Sequence, residues 1–306
     1  MSHHHHHGTP DADALVMLGL AGDLGEQKLF PALVQLASAG LLGIPVVAVG
    51  RSERSDDDLR EMMRDATGDD IPEIDLIYVQ GDATDVATFD AVAERLGDDV
   101  ELPVVYASLP PHTFGGVAEA VAASGLPDTT RVVLEKPFGE NADDARRLHE
   151  AVITAIDDDR LFVVDHFLAK SSVENLLTFR SANPMIDALM CSHHVERIEI
   201  TMSEEFGVDG RESFYDDVGA VADVVQNHLL QLIAVLTMEP PTDDSEEAFD
   251  RSRAALLDAI TPLAPDDVVL GQFDGYTDHD DIDDDSRTET FAAARLSIDN
   301  DRWRDT

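Results

Sequence analysis

A glycine-spaced turn, Gly19-Leu20-Ala21-Gly22-Asp23-Leu24-Gly25, follows the first apolar run of the chain and opens a helical segment. Missing β-carbons let backbone N–H groups approach a pyrophosphate, and the positive end of a helix favours its charge. Such glycines also serve as plain tight turns; the place between a first strand and a first helix is what points to a dinucleotide. At the end of the second apolar run, Gly50-Arg51-Ser52 offers a guanidinium and a hydroxyl where an NAD site usually carries an acid. Those groups suit the 2′-phosphate of NADP, with NAD as the alternative because Glu53 is close by. Further along, Ala107-Ser108-Leu109-Pro110-Pro111 is either a ligand-facing exit from a strand or a rigid turn. In Glu135-Lys136-Pro137-Phe138-Gly139, Lys136 can reach both a nicotinamide and a substrate hydroxyl.

The run Asp165-His166-Phe167-Leu168-Ala169-Lys170 supplies a hydrogen-bond donor in His166 and a point charge in Lys170, which could converge on an anionic group. His228 follows Asp223 by five residues in an apolar helix. A histidine there is either a satisfied core residue or, beside a cofactor domain, a general base that takes a hydroxyl proton while hydride leaves the same carbon.

These residues need elements to hold them. Short apolar runs at 14–20, 46–50, 75–79, 103–108, 131–135 and 161–165 alternate with helical segments at 24–39, 56–67, 86–96, 113–123 and 141–156. That alternation is the signature of βαβ units, and strands that are nearly unbroken apolar runs imply helices on both faces of a parallel sheet. The fold class is therefore α/β: a doubly wound, Rossmann-type domain over residues 11–178, whose strands end where the candidate residues lie. After it comes an incomplete α+β domain over 179–306. Its antiparallel strands are expected at 195–201, 268–273 and 290–297, and a helix at 218–238, apolar nearly all round and so expected to be buried, runs between them. An acidic helix is expected at 245–260. The strands are too few for a self-sufficient sheet.

Composition narrows the function classes. The 306 residues carry 63 acidic and 21 basic side chains, a formal charge of −42, which disfavours nucleic acid and anionic lipid as partners. Only three lysines occur, Lys28, Lys136 and Lys170, and acid enrichment with so little lysine is the surface expected of a halophilic protein. Residues 1–10, with five consecutive histidines, read as an expression tag rather than a metal site. A single cysteine, Cys191, excludes internal disulfides and suits a reducing cytoplasm. No metal is expected, the acidic loop 278–285 fitting no EF-hand spacing. No apolar run is expected to be long enough to span a membrane.

Taken in order, the segments GLAGDLGEQKLFPAL, AVGRSERSD, ASLPP, VVLEKPFG, VVDHFLAKSSVENLL, FRSANP, VDGRESFYDD, VQNHLLQLIAVLTMEPP and DSRTETFAAARL resemble glucose-6-phosphate dehydrogenases along nearly the whole chain. The resemblance implies an NADP-dependent oxidoreductase of the pentose phosphate pathway, acting on glucose 6-phosphate to give 6-phosphogluconolactone. It implies His228 as the base, with Asp165 paired to it, and Lys136 bridging cofactor and sugar. His166 and Lys170 would bind the sugar phosphate, and Glu204 and Asp223 the sugar hydroxyls. Gly19, Gly22, Asp23, Leu24 and Arg51 would carry the dinucleotide. Phe167 stands where that family has a phosphate-contacting tyrosine, and Ala21 where it commonly has a serine. The chain ends short of the family's C-terminal part, which contains more of an antiparallel sheet and much of a dimer surface. Homo-oligomerisation is one way to bury the short sheet. Dehydrogenation of another sugar or sugar phosphate, or a catalytically impaired dinucleotide-binding subunit, are the alternatives.

Overall fold

A computed structural model describes residues 12–22, 25–136, 138–139, 142–205, 207–208, 212–243 and 245–306. The chain divides into two compact units between Asp165 and His166. The expected boundary at residue 178 falls inside a helix of the second unit.

In the first unit six parallel strands take the order β3-β2-β1-β4-β5-β6: β1 Ala14–Leu18, β2 Val46–Gly50, β3 Leu76–Gln80, β4 Pro103–Ala107, β5 Arg131–Glu135 and β6 Leu161–Val164. Successive side chains of a strand point to opposite faces, and both faces are covered. Val16, Leu18, Val47, Val105 and Val132 pack with Phe89, Val117 and Val152 of helices α3 (Val86–Leu96), α4 (Phe114–Ala123) and α5 (Ala142–Ala155). Met17, Val46, Ala48 and Tyr78 pack on the other side with Phe30, Leu33, Leu59 and Met63 of α1 (Phe30–Ser38) and α2 (Asp56–Thr67). The α2 start is fixed by a reciprocal cap: Ser55 Oγ accepts from the Asp58 N–H at 3.1 Å while the Ser55 N–H donates to the Asp58 carboxylate at 2.7 Å.

The helix expected at 24–39 is two pieces. A wide π-helical stretch, Gly25–Leu29, precedes α1. Pro31, in the first turn of α1, has no N–H to continue a ladder from upstream, so the register changes there.

The second unit contains α6 (Ser171–Ala182), α7 (Pro184–Leu189), α8 (Glu212–Ala220), a π-helical segment Val221–Leu229, α9 (Leu230–Thr237) and α10 (Glu246–Ala259). Its antiparallel pair is β7 (Val268–Gly271) with β8 (Phe291–Ala294). Three expectations change here. The segment 195–201 is not a strand: its alternation is right, but a strand exists only through a partner's hydrogen bonds, and Val195 and Ile198 instead pack beside buried Trp303. The apolar helix is neither continuous nor buried along its length. Gly219, at φ +70°, breaks it, Val221 is 37% exposed, and full burial is reached only near Ala234, Val235 and Met238. Finally, Tyr215–Thr237 is long and apolar enough to cross a membrane by length and composition, although Asp216, Asp217, Asp223 and His228 all lie in it. A charge at a bilayer centre costs at least about 2.5–3.5 kcal/mol, and a glycine break lies in the same stretch, so both features set this helix apart from an ordinary span.

Candidate active site

Gly19 leaves β1 at φ +82°, and a β-carbon there would stand 2.5 Å from the Ser108 carbonyl oxygen at the end of β4. At Gly25 a β-carbon would fall 1.7 Å from the Leu20 carbonyl oxygen, so that position accepts no side chain. The Gly22 N–H donates to Gly19 O at 3.1 Å and the Glu26 N–H to Gly22 O at 3.1 Å, curling the turn toward the helix. Ser108 Oγ, buried here, has no hydrogen-bond partner among the described residues. An orphaned hydroxyl and a backbone cradle between β1 and β4, where the strand order reverses, fit a dinucleotide. Asp23 and Leu24, also expected in this cradle, lie outside the described residues.

At the end of β2, a β-carbon on Gly50 would meet the Tyr78 hydroxyl at 2.8 Å, and that hydroxyl donates to Ser52 O at 2.6 Å. Arg51 is exposed, and its carbonyl accepts from Gln80 Nε2 at 3.1 Å. The Thr84 N–H and hydroxyl hold the Asp82 carboxyl below the usual carboxylate range, with the Arg51 charge adding to them. Arg54 was not singled out by the sequence. Its Nη1 donates to the Met62 sulfur at 3.0 Å and its buried Nε has no partner among the described residues, so a second guanidinium stands at this edge.

Adjacent registry of β5 and β6, with Glu135 opposite Val164, brings the next residues of each strand together. Lys136 Nζ meets Asp165 Oδ2 at 2.5 Å, with the side chains 23% and 8% exposed. Beside them the Tyr106 hydroxyl donates to Glu135 Oε1. Burial first, then the Glu135 carboxylate, pushes the Tyr106 phenol above its ordinary value.

The second unit gathers the other expected residues. The turn following β6 presents His166, Phe167 and Lys170 before α6 begins. The His228 ring stacks on Phe167 with centroids 4.6 Å apart and an interplanar angle of 22°, and meets His166 edge-on at 4.9 Å. Lys170 Nζ stands 4.0 Å from the Phe167 centroid. Two imidazoles, an aromatic ring and an ammonium thus converge, an arrangement able to move a proton and attract an anion. In an α-helix Asp223 and His228, five residues apart, would point about 140° apart. They lie instead within the π-helical segment, whose i→i+5 register brings them toward one side. Glu204 is exposed on an irregular stretch and Asp223 is half-buried. Among the described residues, no group of three His, Cys, Asp or Glu side chains could hold a metal ion.

Residues 16–175 match the family model described as glucose-6-phosphate dehydrogenase, NAD binding domain, and residues 177–306 match its C-terminal domain. The chain belongs to the glucose-6-phosphate dehydrogenase family. Glucose-6-phosphate 1-dehydrogenase 1 of Mycobacterium tuberculosis (strain H37Rv) is 38% identical over 97% of this chain and 65% of its own length. The Bacillus subtilis enzyme is 34% identical over 94% of this chain, again with 65% of its own length covered. The chain thus spans 65% of the length of these curated relatives. The crystal structure of glucose-6-phosphate 1-dehydrogenase from Mycobacterium avium superposes with a TM-score of 0.89 at 37% identity, over 96% of this chain and 66% of that one. A glucose-6-phosphate dehydrogenase solved in complex with its substrate glucose 6-phosphate superposes with a TM-score of 0.88 at 29% identity, over 96% of this chain and 67% of that one.

Within this family member, Lys136 with Asp165 and the His166, Phe167, Lys170 and His228 group are each brought together. What the sequence missed are contacts rather than types: the stacking of Phe167 on His228, the Tyr106 hydrogen bond to Glu135, and Arg54. Only Arg54, three residues past Arg51, had a readable signal.

Proposed function

We propose that this chain binds NADP and glucose 6-phosphate and oxidises the sugar at its anomeric carbon, giving 6-phosphogluconolactone. The observation that carries the reading is the convergence of His166, Phe167, Lys170 and His228 in a member of this family. The relative solved with glucose 6-phosphate supports the substrate class. A neutral His228 accepts the anomeric hydroxyl proton at a ring nitrogen while hydride leaves the same carbon, and Asp165 favours the protonated imidazole. Lys170 and His166 hold the sugar phosphate, the first as a charge and the second as a donor. Glu204 and Asp223 accept hydrogen bonds from sugar hydroxyls. Lys136, steadied by the Asp165 carboxylate, bridges sugar and cofactor. Gly19, Gly22, Asp23 and Leu24 hold the pyrophosphate, and Arg51 the 2′-phosphate that distinguishes NADP from NAD. The bound cofactor supplies the hydride acceptor.

The same reading makes the chain a cytoplasmic protein built for concentrated salt, assembling with further copies of itself. A second reading, oxidation of a different sugar, is favoured by Phe167, which lacks the hydroxyl donor of a tyrosine. Absorbance of the reduced cofactor, followed in molar salt with glucose 6-phosphate, glucose and glucosamine 6-phosphate, separates the two. Turnover with glucose 6-phosphate alone supports the first. Turnover with another sugar overturns its substrate, and cofactor binding without any turnover leaves only a dinucleotide-binding subunit.

A further inference from the structure

The helix that carries Asp223 and His228 starts afresh at a break, and the start is held by the carbonyl and the side chain of one residue from a distant part of the sequence. Gly219, inside α8, adopts φ +70° and kinks the helix there, and Val221 opens the π-helical segment. A helix start leaves backbone N–H groups without intrahelical partners. Here the Ala220 N–H donates to the Glu289 carbonyl oxygen at 2.9 Å and the Val221 N–H to Glu289 Oε1 at 2.9 Å. The fit is close: a β-carbon on Gly219 would stand 2.6 Å from Glu289 Oε1. Glu289 is itself anchored, because the next residue, Thr290, joins the β7–β8 ribbon through its N–H to Gly271 O at 2.9 Å and its Oγ1, which accepts from the Phe273 N–H at 2.8 Å.

We propose that Glu289 is a positioning residue for the reaction: its carbonyl and carboxylate fix where the helix begins and hence where Asp223, two residues past Val221, and His228 come to rest. This rests on the reading of His228 as the base. Sequence spacing sets the two site residues five apart, and only a fixed starting register turns that spacing into a fixed direction. The carboxylate also suits the positive end of the helix. A glycine at 219 is required twice, for its positive φ and for the absence of a β-carbon under the carboxylate.

The test compares four single variants of the full chain. Glu289→Gln keeps the reach and an acceptor oxygen, Glu289→Asp keeps the charge but shortens the reach, and Glu289→Ala removes both. Ser245→Ala removes a different helix cap in the same unit, since the Ser245 side chain accepts from the Ala248 N–H at the start of α10. Hydrogen exchange in peptides spanning 219–229 is expected to speed up by about tenfold in Glu289→Ala and Glu289→Asp, the size of one lost cap, and to stay near wild type in Glu289→Gln. With glucose 6-phosphate, kcat is expected to fall about tenfold or more in the same two variants while KM for NADP stays unchanged, because an interaction used at the chemical step is lost rather than one used in cofactor binding. Ser245→Ala lowers the melting temperature but leaves kcat within about twofold, as expected of a cap remote from the chemistry.

Unchanged exchange at 219–229 in Glu289→Ala overturns the proposal, whatever the activity. So does a Glu289→Gln variant as impaired as Glu289→Ala, or a Ser245→Ala variant with the same loss of kcat. If Glu289→Ala does not fold, the pair Glu289→Gln and Glu289→Asp decides by the same readouts. Absence of turnover in the wild-type protein defeats the proposed function instead, and the exchange arm still decides the capping role.

Discussion

Phe167 joins two residues of the candidate site through its ring: the His228 imidazole stacks on it and the Lys170 ammonium stands 4.0 Å from its centroid. A tyrosine there would keep the ring and add a hydroxyl. Phe167→Tyr is therefore expected to lower KM for glucose 6-phosphate several-fold, up to the roughly tenfold that about 1.4 kcal/mol of one added hydrogen bond to a charged group represents, with kcat little changed. Lys170→Ala is expected to raise that KM by a similar factor while leaving KM for NADP alone. Steady-state kinetics in molar salt checks both, and an unchanged KM in Lys170→Ala removes the phosphate role. His228→Asn is expected to lower kcat by about 10²–10⁴-fold, the range for loss of a general base, while sugar-phosphate binding measured by calorimetry persists. At this scale the sequence was largely legible, because imidazole, ammonium and carboxylate groups advertise their chemistry by type. The stacking was not, since a phenylalanine in a sequence carries no sign of which ring it will meet.

Among the elements, α6, α7 and the end of α9 are tied by an ion network around buried Arg180. Arg180, 3% exposed, donates to Val235 O at 2.9 Å and Met238 O at 2.8 Å and pairs with Asp187 at 2.8 Å. Arg302 reaches the same carboxylate at 3.2 Å and Glu239 at 2.7 Å. Next to it, buried Trp303 donates from Nε1 to Thr237 O at 2.6 Å. Burial alone would push the Asp187 carboxyl up, but hydrogen bonds and charge from Arg180 and Arg302 outweigh it and hold the group below its usual range. A folded-state value below the unfolded one, about 3.9, gives stability that is fully present above that value and lost as pH falls through the folded value. Acid unfolding of the wild type is thus expected to weaken in pH dependence below about pH 4 when Asp187 becomes Asn, as read from melting curves across that window. Arg180→Met is expected to cost about 3 kcal/mol at neutral pH, since it leaves the half-buried Asp187 carboxylate with Arg302 alone and two carbonyls without their buried donor. A melting temperature within a degree of wild type would exclude that role. The sequence did not reveal this network, because Arg180, Asp187, Glu239 and Arg302 are spread over more than a hundred residues.

For the whole molecule, the charge of −42 outweighs any single ion pair as an electrostatic influence. Self-repulsion of that size destabilises a compact state at low ionic strength, and salt relieves it as the Debye length falls from about 10 Å at 0.1 M to about 3 Å at 1 M. The melting temperature is expected to rise by roughly 10 °C between those salt concentrations, equivalent to about 3 kcal/mol at the ~2–4 °C per kcal/mol of chains this large. A melting temperature that falls with salt would reverse the halophilic reading. The β7–β8 ribbon exposes Val269, Leu270 and Phe291, at 62%, 54% and 56%, so self-association in salt is the expected companion result, measured by sedimentation.

The strand positions of the first unit and the glycine turn after β1 were legible in the chain alone. Each strand there is a nearly unbroken apolar run, with polar residues such as Arg131, Glu135 and Gln80 only at its ends, and that pattern marks a parallel strand covered on both faces. The sequence by itself also determined the residue types of the site and the surface charge. Tertiary structure decided the rest. Whether 195–201 becomes a strand depends on a hydrogen-bonding partner, and whether the apolar helix is buried depends on what packs against it; neither is encoded in its own periodicity. Above all, the direction in which Asp223 and His228 point follows from a helix register set at Gly219 by a carboxylate seventy residues downstream, a long-range hydrogen bond that no local pattern contains.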